Sequence, residues 1–123
     1  MEIIPRFCET DALGHINNTV FAIWSEAARE PIFQIFNPEQ RIENWNLIVA
    51  NVNTRMLQPC YFPFSVQIKT RVTKIGRTSF DVTHTIFQND QLVAEVVAVL
   101  VHYDYKKKCA VELNAHFRKQ LMD

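Results

Sequence analysis

Residues Asn18 to Phe36 restrict the possible folds of this chain more than any other stretch. Val20, Trp24, Ala27, Ala28 and Ile35 recur at helical spacing, and Phe21 and Ile32 widen the same apolar face. The remaining polar set, Ser25, Glu26, Arg29 and Glu30, is small, so the predicted helix must be enclosed on most sides. Ala27 and Ala28 carry little bulk and let another backbone come close. Pro31 conflicts with an unbroken helix, because it has no N–H to donate and its ring presses on the Ala27 carbonyl. The pattern therefore predicts a kink near Ala27–Pro31, or a helix that stops there and restarts.

Strands must supply the enclosure. Residues 2–8 fit a short strand, and residues 46–57 begin apolar and then alternate. Pro59 and Pro63 bracket a loop, since neither can donate to a sheet ladder. From Phe64 the alternation is clean, with Phe64, Val66, Ile68 and Val72 on one face and Ser65, Gln67, Lys69 and Arg71 on the other. Gly76-Arg77 turns the chain, Phe80, Val82 and Ile86 continue the pattern, and Asn89-Asp90 signals a hairpin. Gln91 to Asp104 is apolar on both sides: Val93, Val97, Val99 and Val101 on one, Leu92, Ala94, Val96, Ala98 and Leu100 on the other. Such a strand belongs mid-sheet or in an interface between copies. Glu112 to Leu121 reads as a short amphipathic helix. The fold class that satisfies all of this is α+β: an antiparallel sheet of about five strands wrapped around one long helix.

Bulk properties narrow the function. The chain of 123 residues is long enough for one domain, 1–123, and a real core. Formal net charge is zero, which gives no reason to expect nucleic acid or an anionic membrane as partner. Cys8, Cys60 and Cys109 are an odd set without metal-ligand spacing, which favours free thiols in a reducing, cytoplasmic setting. The N-terminus shows no basic segment followed by an apolar run, and no uncharged apolar stretch reaches the length of a membrane span. The histidines are scattered, with His84 on the apolar face of its strand and His102 and His116 without partner spacing, so no metal site is expected.

Chemistry concentrates in the stretch from Cys8 to Asn18. Asp11 is a lone carboxylate in a loop that runs straight into the predicted helix. Gly14 lets the loop bend, and Asn17 and Asn18 are suited to cap the helix. Free N–H groups at a helix start, beside an ionisable side chain, are what acyl transfer needs: a base or nucleophile next to donors for an oxyanion. A loop brace or cap is the plainer use of Asp11. His15 has three open roles: polarising substrate, orienting Asp11, or filling the loop. Glu26 and Arg29, three apart, suit a structural pair on the helix.

Arg6-Phe7-Cys8-Glu9-Thr10-Asp11-Ala12-Leu13-Gly14-His15-Ile16-Asn17-Asn18, with Trp24, Glu26, Ala28 and Arg29 behind it, resembles the hotdog-fold acyl-CoA thioesterases, closest to the 4-hydroxybenzoyl-CoA thioesterase-like branch. The motif is strong over about the first thirty residues. Element order and stretches such as Arg71-Val72-Thr73-Lys74-Ile75-Gly76-Arg77-Thr78-Ser79-Phe80 extend the likeness over nearly the whole chain. The resemblance implies a thioesterase that hydrolyses acyl-CoA or acyl carrier protein thioesters. Asp11 matches the catalytic carboxylate, as nucleophile or general base. Asn18 falls where a helix N-terminal N–H meets the thioester oxygen. The Gly14-His15-Ile16-Asn17-Asn18 run also resembles plant acyl-carrier-protein thioesterases, but Leu13 stands where those have Asn, leaving that set incomplete. Phe62-Pro63 replaces a Gly-Asp turn common in the family.

The resemblance further implies a homo-oligomer, dimer or dimer of dimers, with the acyl site between copies. Asn53 and Arg55 are the expected facing wall, and Gly14 and Asn17 complete the substrate-binding set. No cofactor is expected beyond the coenzyme A of the substrate. Its phosphates have candidate partners in Arg55, Lys69, Arg71, Lys74 and Arg77, with Lys106-Lys107-Lys108 a second patch. Two other readings fit the same fold: a hydratase or dehydratase of acyl thioesters, and a binding module that does not turn over.

Overall fold

The computed structural model describes residues 1–123. Six strands and three helices follow one another: β1 (Glu2–Ile3), α1 (Val20–Ala28), α2 (Glu30–Phe36), β2 (Leu47–Met56), β3 (Val66–Ile75), β4 (Ser79–Gln88), β5 (Gln91–Asp104), β6 (Cys109–Ala110) and α3 (Ala115–Met122). The sheet runs in the order β1-β3-β4-β5-β2, with β6 against β5, and every pairing is antiparallel. α1 and α2 lie on its inner face, giving the α+β arrangement that the sequence pattern predicts and the hotdog fold that the resemblance implies.

Pro31 breaks the helix as expected. α1 ends at Ala28, Arg29 alone separates the two segments, and Pro31 sits in the first turn of α2, where its missing N–H costs little. The hairpin at Asn89-Asp90 also forms, with both residues at positive φ (52° and 61°), the geometry of a two-residue turn. β5 lies between β4 and β2, where a strand apolar on both sides belongs.

Several expectations are corrected. The first strand stops at Ile3, and Phe7–Glu9 forms a 3-10 turn instead, because the Glu9 carboxylate takes the Arg6 amide and folds the chain back. The helix starts at Val20 rather than Asn18. Asn17 spends its side chain on the Thr19 amide and hydroxyl, and the residue that caps α1, Thr19, makes no side-chain cap. Val93 does not share a side with Val97, Val99 and Val101. An irregularity opposite Ile86/Phe87 turns both Val93 and Ala94 inward. Arg29 and Ser25 leave the polar face and are fully buried. The Glu26–Arg29 pair does not form, because the guanidinium reaches inward to His84.

The core has two apolar halves. Around α1, Phe21 and Trp24 pack on Val66, Ile68, Ile86 and Val96. Around α2, Ile32 and Phe36 pack on Phe80, Val82, Ala98 and Leu100, with Leu113 and Leu121 closing the end. The Phe36 and Phe80 rings lie stacked at 5.4 Å. Each large buried side chain of this kind contributes about 1.5–3 kcal/mol. Arg29, His84 and Thr70 fall between the halves on all three elements: between Ala28 and Ile32, between Val82 and Ile86, and between Ile68 and Val72. His84 Nδ1 meets Thr70 Oγ1 at 2.8 Å, and its Nε2 faces Arg29 Nη1 at 3.2 Å. Since the guanidinium can only donate, Nε2 accepts and Nδ1–H donates to Thr70. Burial first, and the neighbouring Arg29 charge second, lower the His84 pKa to about 4.

Candidate functional site

A cleft of about 500 Å³ opens at the start of α1 and brings together Asp11, His15, Asn17 and Asn18 on one side and Phe21, Met56 and Cys60 on the other. The loop that carries Asp11 leaves the 3-10 turn at Glu9 and returns beside itself, with Thr10 bridged to Ile16. Asp11 braces the bend. Its Oδ1 accepts the Leu13 amide at 2.8 Å and the His15 amide at 3.1 Å, and its own N–H donates to the His15 carbonyl at 2.8 Å. Gly14 sits at φ +80°, a left-handed conformation that suits glycine and sharpens the turn. Asp11 is therefore a loop brace through one oxygen. Oδ2 accepts no hydrogen bond within the chain, so Asp11 lines the cleft with one oxygen uncommitted.

The amides at the helix start divide in a similar way. Thr19 N–H is taken by the Asn17 side chain at 3.0 Å, and Val20 N–H by the Asn17 carbonyl at 3.0 Å. Asn17 N–H goes to the Glu9 carbonyl at 2.8 Å. Asn18 N–H has no partner in the chain. Of the donors anticipated here, Asn18 is thus the one left open, within the same cleft as Asp11. An ionised carboxylate beside an unpaired main-chain N–H can activate water or attack a carbonyl, and can stabilise the oxygen on which charge develops.

The rest of the wall is held from outside the loop. The Ile16 amide donates to the Cys60 carbonyl at 2.7 Å, and the His15 ring meets Tyr61 edge-on at 4.9 Å. Gln88, buried in β4, fixes that second segment. Its amide donates to the Tyr61 and Phe64 carbonyls, and its oxygen accepts the Tyr61 N–H. The peptide between Phe62 and Pro63 in this loop is cis. Burial pushes the Cys60 thiol up to about 11, so it is a neutral apolar wall and not a thiolate nucleophile. Sequence reasoning did not assign Met56, Cys60, Tyr61 or Gln88 to the site. Met56 and Cys60 line the cleft, while Tyr61 and Gln88 support its wall from behind; all four arrive from segments remote in sequence, which leaves no periodic trace in the loop motif.

Asn53 and Arg55, expected to face the site of another copy, do not line this chain's own cleft. Their cross-strand partners are Val97 and Glu95, on the outer face of the sheet, and Arg55 Nη1 lies 3.9 Å from Glu95 Oε1. Val52, Thr54 and Met56 take the inner face. None of the basic residues considered for phosphates lines the cleft: Arg77 pairs with Glu112 at 2.8 Å, and Lys69 sits 5.2 Å over the Phe87 ring. No group of three or more His, Cys, Asp or Glu side chains is arranged to hold a metal ion, and no helix is long and apolar enough to cross a membrane.

The profile of the thioesterase-like superfamily matches residues 5–121. No curated protein matches in sequence. Among solved structures, a predicted thioesterase from Bacillus stearothermophilus superimposes with a TM-score of 0.94 at 30% identity, over 98% of this chain and 91% of that one. A thioesterase from Thermus thermophilus, crystallised with coenzyme A and Zn, superimposes at 0.88 with 28% identity, over 100% and 96%. A DHNA-CoA thioesterase from Staphylococcus aureus shares the fold at a TM-score of 0.80 and 24% identity, over 98% and 83%.

Proposed function

We propose that this chain, which belongs to the thioesterase-like superfamily and is a thioester hydrolase, acts on acyl-CoA, releasing a free acid and coenzyme A at the cleft that opens α1. The observation that carries this reading is that Asp11 and Asn18, whose amide is unpaired, line the same cleft. The Thermus relative crystallised with coenzyme A supports the choice of carrier.

In the base-catalysed form, Asp11 takes a proton from water as the water oxygen bonds to the thioester carbon. The carbonyl oxygen becomes an oxyanion against the Asn18 N–H, where the start of α1 also favours negative charge. Collapse of the tetrahedral species breaks the C–S bond, and the thiolate leaves with its electron pair. In the nucleophilic form, Asp11 itself bonds to the carbon and water then opens the anhydride. Both forms need Asp11 ionised. His15, which meets Tyr61 edge-on and lines the same cleft, has a substrate-orienting part.

We also propose that the active unit is a homo-oligomer built through β2. This ten-residue strand ends the sheet, and all of it but Leu47 and Thr54 is exposed. Val52, Met56 and, on α1, Ile23 are exposed at 43%, 55% and 61%. A long apolar edge of this kind seeks a second strand, and two-fold pairing of β2 with its copy sets the Met56 end of one chain against the Leu47 end of the other. Asn53 and Arg55 face away from their own chain's cleft, so any contact with substrate comes from a second copy. The three free cysteines suit a cytoplasmic setting.

The test is a hydrolysis screen against short, long and aromatic acyl-CoAs, following released thiol. Turnover of at least one class is expected. Binding across the panel with no thiol release in any class rules the reading out.

A further inference from the structure

Glu9 is a buried carboxylate, 7% exposed, two residues before Asp11 and outside the cleft. Three donors converge on it. The Arg6 amide reaches Oε1 at 2.7 Å, the Trp24 indole N–H reaches Oε2 at 3.0 Å, and Arg6 Nη2 reaches Oε2 at 3.4 Å. Desolvation alone would raise its pKa, but the bonds from the Arg6 amide, the Trp24 indole and the Arg6 side chain outweigh it, and the group titrates below the ordinary carboxylate range.

Its main chain has a second task. The Glu9 carbonyl accepts the Asn17 N–H at 2.8 Å. One residue thus joins the incoming chain (through Arg6), the middle of α1 (through Trp24) and the residue just before Asn18. Trp24 is itself locked in the core, 4% exposed and edge-on to Phe21 at 5.8 Å. The Asp11 loop between residues 10 and 16 is mostly exposed, and its bonds outside itself, from Ile16 N–H to the Cys60 carbonyl and from Phe62 N–H to the Gly14 carbonyl, run to the 60–62 segment and not to α1. Without the Glu9 carboxylate, the base of the loop has no side-chain tie to the body of the helix whose first amides it must face. An exposed surface carboxylate would be a dispensable cap. One sealed behind the loop and tied to the helix core is suited to fix distance.

We infer that Glu9 is a positioning residue for the hydrolysis, holding Asp11 and the Asn18 amide at working separation by clamping the loop to α1 through Trp24. This inference rests on the function proposed above. Misplacement by about 1 Å from a remote change is enough to lower a rate on the order of 100-fold, so the clamp acts on kcat and leaves substrate affinity nearly alone.

The experiment compares Glu9→Gln, Trp24→Phe and their combination with the unaltered protein on an acyl-CoA that it turns over, with rates expressed per folded molecule. Glu9→Gln should lower kcat about 10- to 100-fold with KM within two-fold. Trp24→Phe keeps one aromatic ring in the core but removes the five-membered ring with its N–H, so it is compared at matched stability, and it should lower kcat several-fold. The double variant should be no slower than Glu9→Gln, because both changes cut the same link. If Glu9→Gln does not fold, Trp24→Phe carries the test through its own kcat. Unchanged kcat in the folded variants, or a loss confined to KM, overturns the inference. Asp11→Asn run beside them separates the two readings. Full activity in Asp11→Asn overturns the role of Asp11, whereas its loss together with full activity in Glu9→Gln overturns the role of Glu9 alone.

Discussion

A charged side chain marks each end of α1, and the two are treated in opposite ways. At the start, Asp11 stands exposed at the mouth of a cleft, with one oxygen bracing its loop and the other uncommitted. At the end, Arg29 is sealed at 2% exposure, donating to a neutral histidine, with its Nε unpartnered and no carboxylate within salt-bridge distance. A charge that keeps solvent access and a spare lone pair can exchange protons with a substrate. A charge enclosed between two apolar clusters cannot. What it can do is define where the helix breaks and which strand positions face the break. On the function proposed above, chemistry falls to one end of the nine residues and architecture to the other.

The division breaks if the sealed end proves to matter for turnover. Arg29→Ala empties the centre of the core and strips the donor from His84 Nε2. It should cost about 3 kcal/mol in equilibrium denaturation, with kcat per folded molecule within a few-fold of the original. Arg29→Met, which keeps the volume, should lose much less, because a buried cation with no salt bridge contributes little net stability. A collapse of kcat in a stably folded Arg29→Met would show that the two ends are coupled.

A smaller effect, on pH, sharpens the same contrast. The folded chain holds His84 near 4, below its ordinary 6.5. As pH falls below 6.5, the unfolded chain binds a proton there that the folded chain refuses, so stability is lost, by about 1.5 kcal/mol between pH 6.5 and 5. The loss continues until the pH passes the folded value. Glu9, also lowered, adds to the decline in the more acid range, since its contribution is present above the ordinary carboxylate pKa and lost below it. Denaturation of His84→Gln across this window should show a shallower slope; an equal slope would remove His84 as the source. The smallest effect belongs to the exposed end. Gly14→Ala meets nothing within 4 Å, so its cost is the left-handed backbone alone, roughly 1 kcal/mol, read as a modest fall in melting temperature.

Much of this arrangement was legible in the residues. The apolar periodicity from Val20 to Ile35 called for an enclosing sheet, and Pro31 announced the break. The run from Cys8 to Asn18 assembled Asp11, His15, Asn17 and Asn18 before any strand was placed, and all four line one cleft. What was not legible depended on partners remote in sequence. Arg29 reads as a surface residue because a cation on a helix normally is one; only His84, fifty-five residues on, gives it a place inside. Glu9 reads as part of a loop until Trp24 reaches it. The placement of Asn53 and Arg55 turned on register. The bulge at Ala50 switches which residues of β2 face inward, and alternation alone cannot show a bulge.

The account stands on the uncommitted carboxylate oxygen at the start of α1. Asp11→Asn keeps Oδ1 to brace the Leu13 and His15 amides and removes the basicity, so loop and fold should persist. The deciding measurement is kcat of that variant on an acyl-CoA that the unaltered protein hydrolyses, at matched melting temperature and oligomeric state. A fall of about 10³-fold is the predicted result, within the range for loss of a general base. Turnover within ten-fold of the unaltered protein would contradict it and return Asp11 to the role of a loop brace.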